Sequence, residues 1–418
     1  MRITKLSNTM MLVMTVMTAT ILVNGQRAFA QEEAVLLSFE SGTDSGNLPR
    51  AGLIFGSAGN LYGTTSEGGS GGGGTVFELS RRAGGGWNET VLYSFSPKPK
   101  YTFDQVSGVV FDKAGNLYGT TSLGGIKNHG RVFELIRQAD GSWAEKVVHD
   151  FDNNGTDGYT PLGGVILDSS GNLYGTTAYG GTGGCASTAC GIVYELTPKP
   201  NGVWAEKILY NFTPGAGGTN PYFGLTFDTA GNLYGTTEYG GVDGSGVAYE
   251  LMPAGGGAWS ESVIHSFGSG PDTGFPQSLT FYNGNIYGET ANGGSGDGNV
   301  FELSPAVDGG WNETILANFP YGNGDGAPEL PTGNVVFDAS GNIYGASQGG
   351  SGLSGTVFEL TPGQDGTWDE TILYNFNDLG TAGADPIGGL IMDSRGNLYG
   401  TTQYGGAYDA GTVFEVKP

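Results

Sequence analysis

Seven glutamates stand between apolar neighbours at one recurring place: Glu78, Glu134, Glu195, Glu250, Glu302, Glu359 and Glu415. Such a ring could bind cations, or two members in unlike surroundings could act as acid and base. Sevenfold repetition gives like surroundings instead. A buried carboxylate persists only when hydrogen-bonded, so each is expected to accept bonds from a nearby turn or threonine hydroxyl. Asp112, Asp168, Asp228, Asp338 and Asp393 each open a turn and should bind backbone amides two residues on. Asp152 to Gly158 clusters oxygen ligands in a way that suits calcium, but it lacks EF-hand spacing and a terminal glutamate. A polar turn is the expected outcome there, and no metal site or other cofactor is expected elsewhere.

His149 and His265 share one repeat position, which Tyr, Leu or Ala fills in other units. That equivalence reads as packing variation. Cys185 and Cys190 lie in one loop and are expected to form a local disulfide; no second ligand pair lies near them for a metal. No H-E-x-x-H, G-x-S-x-G or phosphate-loop context appears. No catalytic residue is therefore assigned.

These residues sit in a repeat. The phrase G-N-(L/I)-Y-G recurs with its asparagine at Asn60, Asn116, Asn172, Asn232, Asn285, Asn342 and Asn397. Spacings of 53 to 60 residues mark a repeat architecture. Each unit reads as four short strands joined by Gly- and Asn-rich turns, an antiparallel meander. The chain begins with a spare fourth strand, Val35 to Phe39, and ends one strand short. The N-terminal strand should complete the last unit and remove an exposed sheet edge. The expected fold is all-β: one seven-bladed β-propeller over residues 31–418, preceded by a separate segment, 1–30.

The succession G-N-L-Y-G-T-T, G-G and G-T-V-F-E-L resembles the GloVer tandem repeat of secreted bacterial proteins. That resemblance implies no established enzymatic activity and supplies no catalytic residues. The family often carries a C-terminal sorting anchor. This chain ends Val416-Lys417-Pro418, so attachment by that route is not expected.

Arg2 and Lys5, an apolar run from Met10 to Val23, and Ala28-Phe29-Ala30 read as a secretory signal peptide cleaved before Gln31. The protein is expected outside the cytoplasm, extracellular or periplasmic, without membrane insertion. Removing 30 of the 418 residues leaves 388, with 14 basic against 41 acidic side chains and a formal charge of −27. Nucleic acid and anionic membranes are disfavoured partners for so acidic a surface. A monomer is expected.

In a four-stranded meander, the fourth-to-first and second-to-third connections share one face, and here they vary most. Binding is expected on that face. Its candidate ligand-binding residues are Tyr179, Tyr239 and Tyr404 before the Gly-Gly pairs, Asn220 and Asp385 before prolines, Asp104 in the equivalent place, and Asp157 and Asp325 nearby. Tyr with Asp or Asn suits a sugar, a peptide or a cation. The favoured reading is a non-enzymatic module binding a glycan, peptide or protein. The alternatives are a carbohydrate-active enzyme, glycosidase or lyase, with Asp104 and Asp385 as its carboxylate pair, and a purely structural cell-envelope protein.

Overall fold

Each G-N-(L/I)-Y-G phrase leads into or opens the second strand of a four-stranded antiparallel sheet, and seven such sheets form the ring. The computed structural model describes residues 33–42, 44–96, 106–184, 190–268, 274–292, 296, 298–319, 328–349, 354–376 and 382–418. Blade 1 comprises Ile54–Phe55, Leu61–Thr65, Thr75–Arg81 and Trp87–Ser94. Blades 2 to 6 repeat this order, with third strands Arg131–Arg137, Ile192–Pro198, Val247–Gly255, Asn299–Pro305 and Thr356–Pro362. Blade 7 is composite. The first strand of the chain, Glu33–Ser38, pairs with Thr412–Val416, placing Glu33 opposite Val416 and Ser38 opposite Thr412. The expected closure by the N-terminal strand is what the structure has. A 3₁₀ turn, Pro200–Gly202, is the sole helical element among the described residues.

The repeated residues build this scaffold. The seven phenylalanines that follow the fourth strands, from Phe39 to Phe376, are fully buried. The glycine closing each signature phrase lies under a ring: a Cβ on Gly63 would come within 2.6 Å of Phe77, and one on Gly175 within 2.4 Å of the Tyr194 hydroxyl. Asp112 accepts the amides of Ala114 and Asn116, both at 2.8 Å, as its turn position predicts. The glutamates are structural acceptors; the adjacent turn supplies a donor in four blades, as expected, but tyrosine rather than threonine supplies the hydroxyl. The tyrosine of the phrase donates to the glutamate of its own blade, at 2.6 Å for Tyr62–Glu78 and 2.7 Å for Tyr399–Glu415. In blades 1, 2, 4 and 5 its asparagine adds a second bond, as in Asn232–Glu250 at 3.1 Å. The signature phrase and the glutamate ring are thus one device, crossing from the second strand to the third.

Neighbouring blades are joined by a second device. The residue before each blade-opening proline takes a left-handed backbone, with φ of 54° at Leu48, 59° at Thr160, 62° at Asn220 and 55° at Asp385. A residue before proline ordinarily favours extended φ. Here both backbone groups are engaged. The Thr160 amide donates to His129 of the preceding blade at 2.8 Å, and its carbonyl accepts from Ala178 of its own blade at 3.0 Å. The proline ring then rests on a glycine of the preceding blade. A Cβ on Gly130 would lie 2.4 Å from Pro161.

A third device ties the outer strands. Tyr93 donates to Glu145 of the next blade at 2.7 Å, Tyr210 to Glu261 at 3.3 Å, and Tyr374 to Glu33 at 2.8 Å. His149 and His265 occupy the same position and face Glu206 and Glu313, each at 3.5 Å.

Candidate functional site

The first strands of all seven blades begin at the ring axis around a cavity of about 340 Å³. Its wall is largely glycine backbone. A Cβ on Gly388 would come within 2.4 Å of Ala51, and one on Gly163 within 2.8 Å of Gly224. Such contacts between neighbouring blades admit no side chain. No carboxylate lines this cavity among the described residues. Larger side chains do, among them the apolar Leu162, Phe223 and Ile387 and, with polar ends, Arg50 and Tyr222, each directly after a blade-opening proline.

Tyr222 belongs to an aromatic cluster on the variable-loop face of blades 3 and 4. The hydroxyls of Tyr222 and Tyr179 are 2.9 Å apart. The Tyr179 ring lies 5.4 Å from Tyr159, which in turn lies 5.3 Å from His129. The loops that carry Tyr159 and Tyr179 pair as a short two-stranded ribbon, with the two tyrosines directly opposite. A bridge between Thr219 and Tyr239 repeats the arrangement in blade 4. The two variable connections therefore do share a face. Glu238 sits among these rings, close to the hydroxyls of Tyr239 and Tyr222. Its Oε2 has no hydrogen-bonding partner among the described residues. Burial raises its pKa above the ordinary carboxylate value. Burial and then the Tyr179 bond hold the Tyr222 hydroxyl firmly protonated. Tyr239 remains exposed to solvent at 44 %.

Arg50 anchors a second group, at the junction of blades 7 and 1. In the amide orientation that satisfies both ends, the Gln403 oxygen accepts from Arg50 Nη2 at 2.9 Å and from the Tyr404 hydroxyl at 2.9 Å. Tyr404 is 39 % exposed. The cavity mouth thus carries a guanidinium with an exposed tyrosine at one junction and a half-buried carboxyl flanked by tyrosines at another.

A separate cluster lies in the seam between blades 2 and 3. His149 Nε2 is 3.5 Å from Asp157 Oδ2 and 3.5 Å from Glu206 Oε1. Asp157 is held by the Asp152 amide at 2.9 Å. Burial is the largest influence on Glu206 and pushes its pKa up. Burial opposes protonation of His149, but the adjacent Asp157, Glu206 and Asp150 carboxylates outweigh it and raise its pKa. The sequence reading of His149 as packing variation missed this cluster. The available signal was that Asp157 follows His149 by eight residues, although only the fold supplies Glu206.

The predicted residues divide between these places. Tyr179 and Tyr239 meet in the blade 3–4 cluster, Tyr404 joins Arg50, and Asp157 joins His149. Asn220 is buried in a blade-joining turn, with its side-chain amide on the Ala178 carbonyl at 3.2 Å. Asp385 takes the same turn between blades 6 and 7, its amide bonded to Ser354 at 2.6 Å. Asp104, Asp325 and residues 1–30 lie outside the described residues. Cys190 is disulfide-bonded, and Cys185, the one other cysteine of the chain, lies outside them. In the Asp152–Gly158 loop, Asn154 Oδ1 accepts the Thr156 and Asp157 amides, both at 2.9 Å, which makes a polar turn. Arg50, Tyr222 and Glu238 carry the mouth chemistry, yet Arg50 and Glu238 escaped the sequence reading. Glu238 takes a repeat position held by Ser66, Ser122, Ala178, Ala291, Gln348 and Gln403 elsewhere, and that departure was the legible signal.

The sequence profile of the Gloeobacter/Verrucomicrobia repeat matches residues 28–189 and 185–414. No curated protein matches the chain. Among solved structures, PorZ, a surface component of the type-IX secretion system of Porphyromonas gingivalis, aligns at 14 % identity and a TM-score of 0.51. The alignment covers 90 % of this chain and 48 % of PorZ. A putative oxidoreductase (glucose dehydrogenase) from Thermus thermophilus aligns at 16 % identity and a TM-score of 0.45, over 93 % of this chain and 100 % of that one. The NanB sialidase of Streptococcus pneumoniae aligns at 13 % identity and 0.44, over 92 % and 70 %. At these identities the likeness is one of fold.

Proposed function

The chain belongs to the Gloeobacter/Verrucomicrobia repeat family, and we propose that it uses the repeat scaffold as a non-enzymatic binding module, with a glycan as the ligand of its variable-loop face. The observation that carries this reading is the Glu238 carboxyl beside Tyr222 and Tyr239 at the cavity mouth, with Tyr179 bonded to Tyr222 and Tyr159 packed beyond it. Aromatic rings offer apolar faces to the C–H side of a sugar, and hydroxyl and carboxyl groups receive its hydroxyls. Arg50 and Tyr404 extend the same mouth with a cationic and a second aromatic contact.

A glycosidase needs two acidic groups roughly 5–10 Å apart. The described cavity wall offers none, and Asp385 is built into a blade-joining turn. We place the binding outside the cytoplasm, after cleavage before Gln31, and expect a monomer; N-terminal sequencing and sedimentation of the secreted protein check both points. The function itself is tested by glycan-array screening followed by titration calorimetry on the best hit. Tyr239→Ala and Glu238→Gln should each weaken binding at least ~10-fold, the scale of a lost contact worth about 1.4 kcal/mol. Val307→Ala, in a third-to-fourth turn on the other face, should leave it unchanged. No glycan binding, or binding indifferent to both mouth variants, refutes the reading.

A further inference from the structure

We propose that His149, Asp157 and Glu206 form a binding site for one divalent transition-metal ion, of the zinc type, in the seam between blades 2 and 3. The three side chains come from three places: the fourth strand of blade 2, the connection that follows it, and the fourth strand of blade 3. Their nitrogen and oxygen atoms all lie within 4.8 Å of one another.

The spacing is that of ligands around an ion rather than of partners in a hydrogen bond. A tetrahedral ion bound at about 2.1 Å holds its ligand atoms ~3.4 Å apart. The two measured separations from His149 Nε2 are both 3.5 Å. His149 Nε2, Asp157 Oδ1 and Glu206 Oε1 have no accessible surface and no hydrogen-bonding partner among the described residues. The Asp157 side chain is itself only 9 % exposed, so a buried, unpartnered carboxylate oxygen belongs to the group. Buried polar atoms left in this state are costly unless something binds them. Tyr194, fully buried with an unpartnered hydroxyl, lies where both carboxylates act on it, in a position that Phe fills in five of the other blades.

Comparison among blades isolates the feature. Where Tyr stands in place of His149, the seam closes by a direct hydrogen bond, as in Tyr93–Glu145 and Tyr374–Glu33. His265 faces Glu313 at the same 3.5 Å. The Asp152 amide on Asp157 Oδ2 and the Asn154-capped turn fix the third ligand from behind. An imidazole with two carboxylates selects a transition metal over calcium, which takes oxygen ligands alone. His149 and Glu206 are each 20 % exposed on their side chains, which leaves a route from the outer rim.

The test is calorimetric titration of chelator-treated, desalted protein with Zn²⁺, together with Co²⁺ absorption as a report of geometry. About one equivalent of Zn²⁺ should bind, and Co²⁺ should give an intense tetrahedral band. Asp157→Asn should weaken binding by ~100-fold or more. His149→Tyr should abolish it while keeping the circular dichroism spectrum, because Tyr is what blades 1, 3 and 6 use there. Absence of saturable Zn²⁺ binding overturns the proposal, as does binding retained in both Asp157→Asn and His149→Tyr, or saturable binding of Ca²⁺ alone. Should His149→Tyr fail to fold, Asp157→Asn carries the test.

Discussion

Replacing Glu289 by threonine should make the protein more stable, and increasingly so as pH rises. Glu289 stands where Thr64, Thr120, Thr176, Thr236 and Thr401 stand in other blades. Those threonines lace one blade to the next through their hydroxyls, as in Thr176 to Phe223 at 3.0 Å and Thr236 to Gln277 at 2.9 Å. Glu289 is fully buried, and neither of its oxygens has a hydrogen-bonding partner among the described residues. Burial pushes its carboxyl from an ordinary 4.5 up to about 8. Below pH 4.5 the folded and unfolded chains both hold the proton, and Glu289 exerts no pH-linked effect. Between the two values only the unfolded chain releases it, so stability falls by about 1.4 kcal/mol per pH unit. The loss reaches roughly 3 kcal/mol at pH 7 and levels off near 5 kcal/mol above pH 8. Against this, Glu289→Thr gives up about 1 kcal/mol of packing. The variant should match or slightly trail the parent at pH 5 and lead it by roughly 3–4 kcal/mol at pH 9. Guanidinium unfolding followed by tryptophan fluorescence, run on both proteins at pH 5, 7 and 9, measures the gap. An equal gap at pH 5 and pH 9 would refute the reasoning, since only a group titrating differently in the two states can open it.

Tyr399→Phe should cost about 1–3 kcal/mol in the same assay, because it leaves the buried Glu415 carboxylate without its 2.7 Å donor. Gly130→Ala should be severe, at least ~3 kcal/mol, since the new methyl meets Pro161 in a positive-φ position. Gly141→Ala, with φ of 88° and open space around it, should lose only the strain of about 1–2 kcal/mol. Tyr93→Phe should cost about 1 kcal/mol or somewhat more by breaking one outer tie to Glu145, read as a shift in thermal midpoint.

The blade count and the ring closure were legible because they rest on period and on the offset between the chain ends, which a one-dimensional pattern carries in full. The role of the glutamates was legible in kind but not in partner. Tyr62 and Glu78 stand on adjacent strands 16 residues apart, and only their register places them opposite. The variable-loop face was legible from the alternation of connections, and Tyr179 and Tyr239 were found there. Asn220 and Asp385 were misleading in composition, since a polar residue before proline reads as a loop tip while its backbone is locked between blades. Glu206 was illegible because its partners come from the neighbouring blade. Arg50 and Glu238 could have been found by aligning the units and asking which position breaks the pattern toward charge.

The composite blade has a consequence for how the chain acquires its shape. Glu33–Ser38 precedes blades 1 to 6 in the chain and pairs with Thr412–Val416, which follows them. The contact spans nearly the whole sequence, so it contributes the largest loop-closure term in the molecule. Blades 1 to 6 are local meanders that can form one after another, whereas the seam must wait for the final strand. Until then Glu33–Ser38 and the growing end each present an unpaired edge to any other chain nearby. Slow closure with fast blade formation is the expected kinetic pattern. A circular permutant with its termini moved into the turn at Gly141 would carry the old seam as an ordinary hairpin and should refold with fewer aggregates.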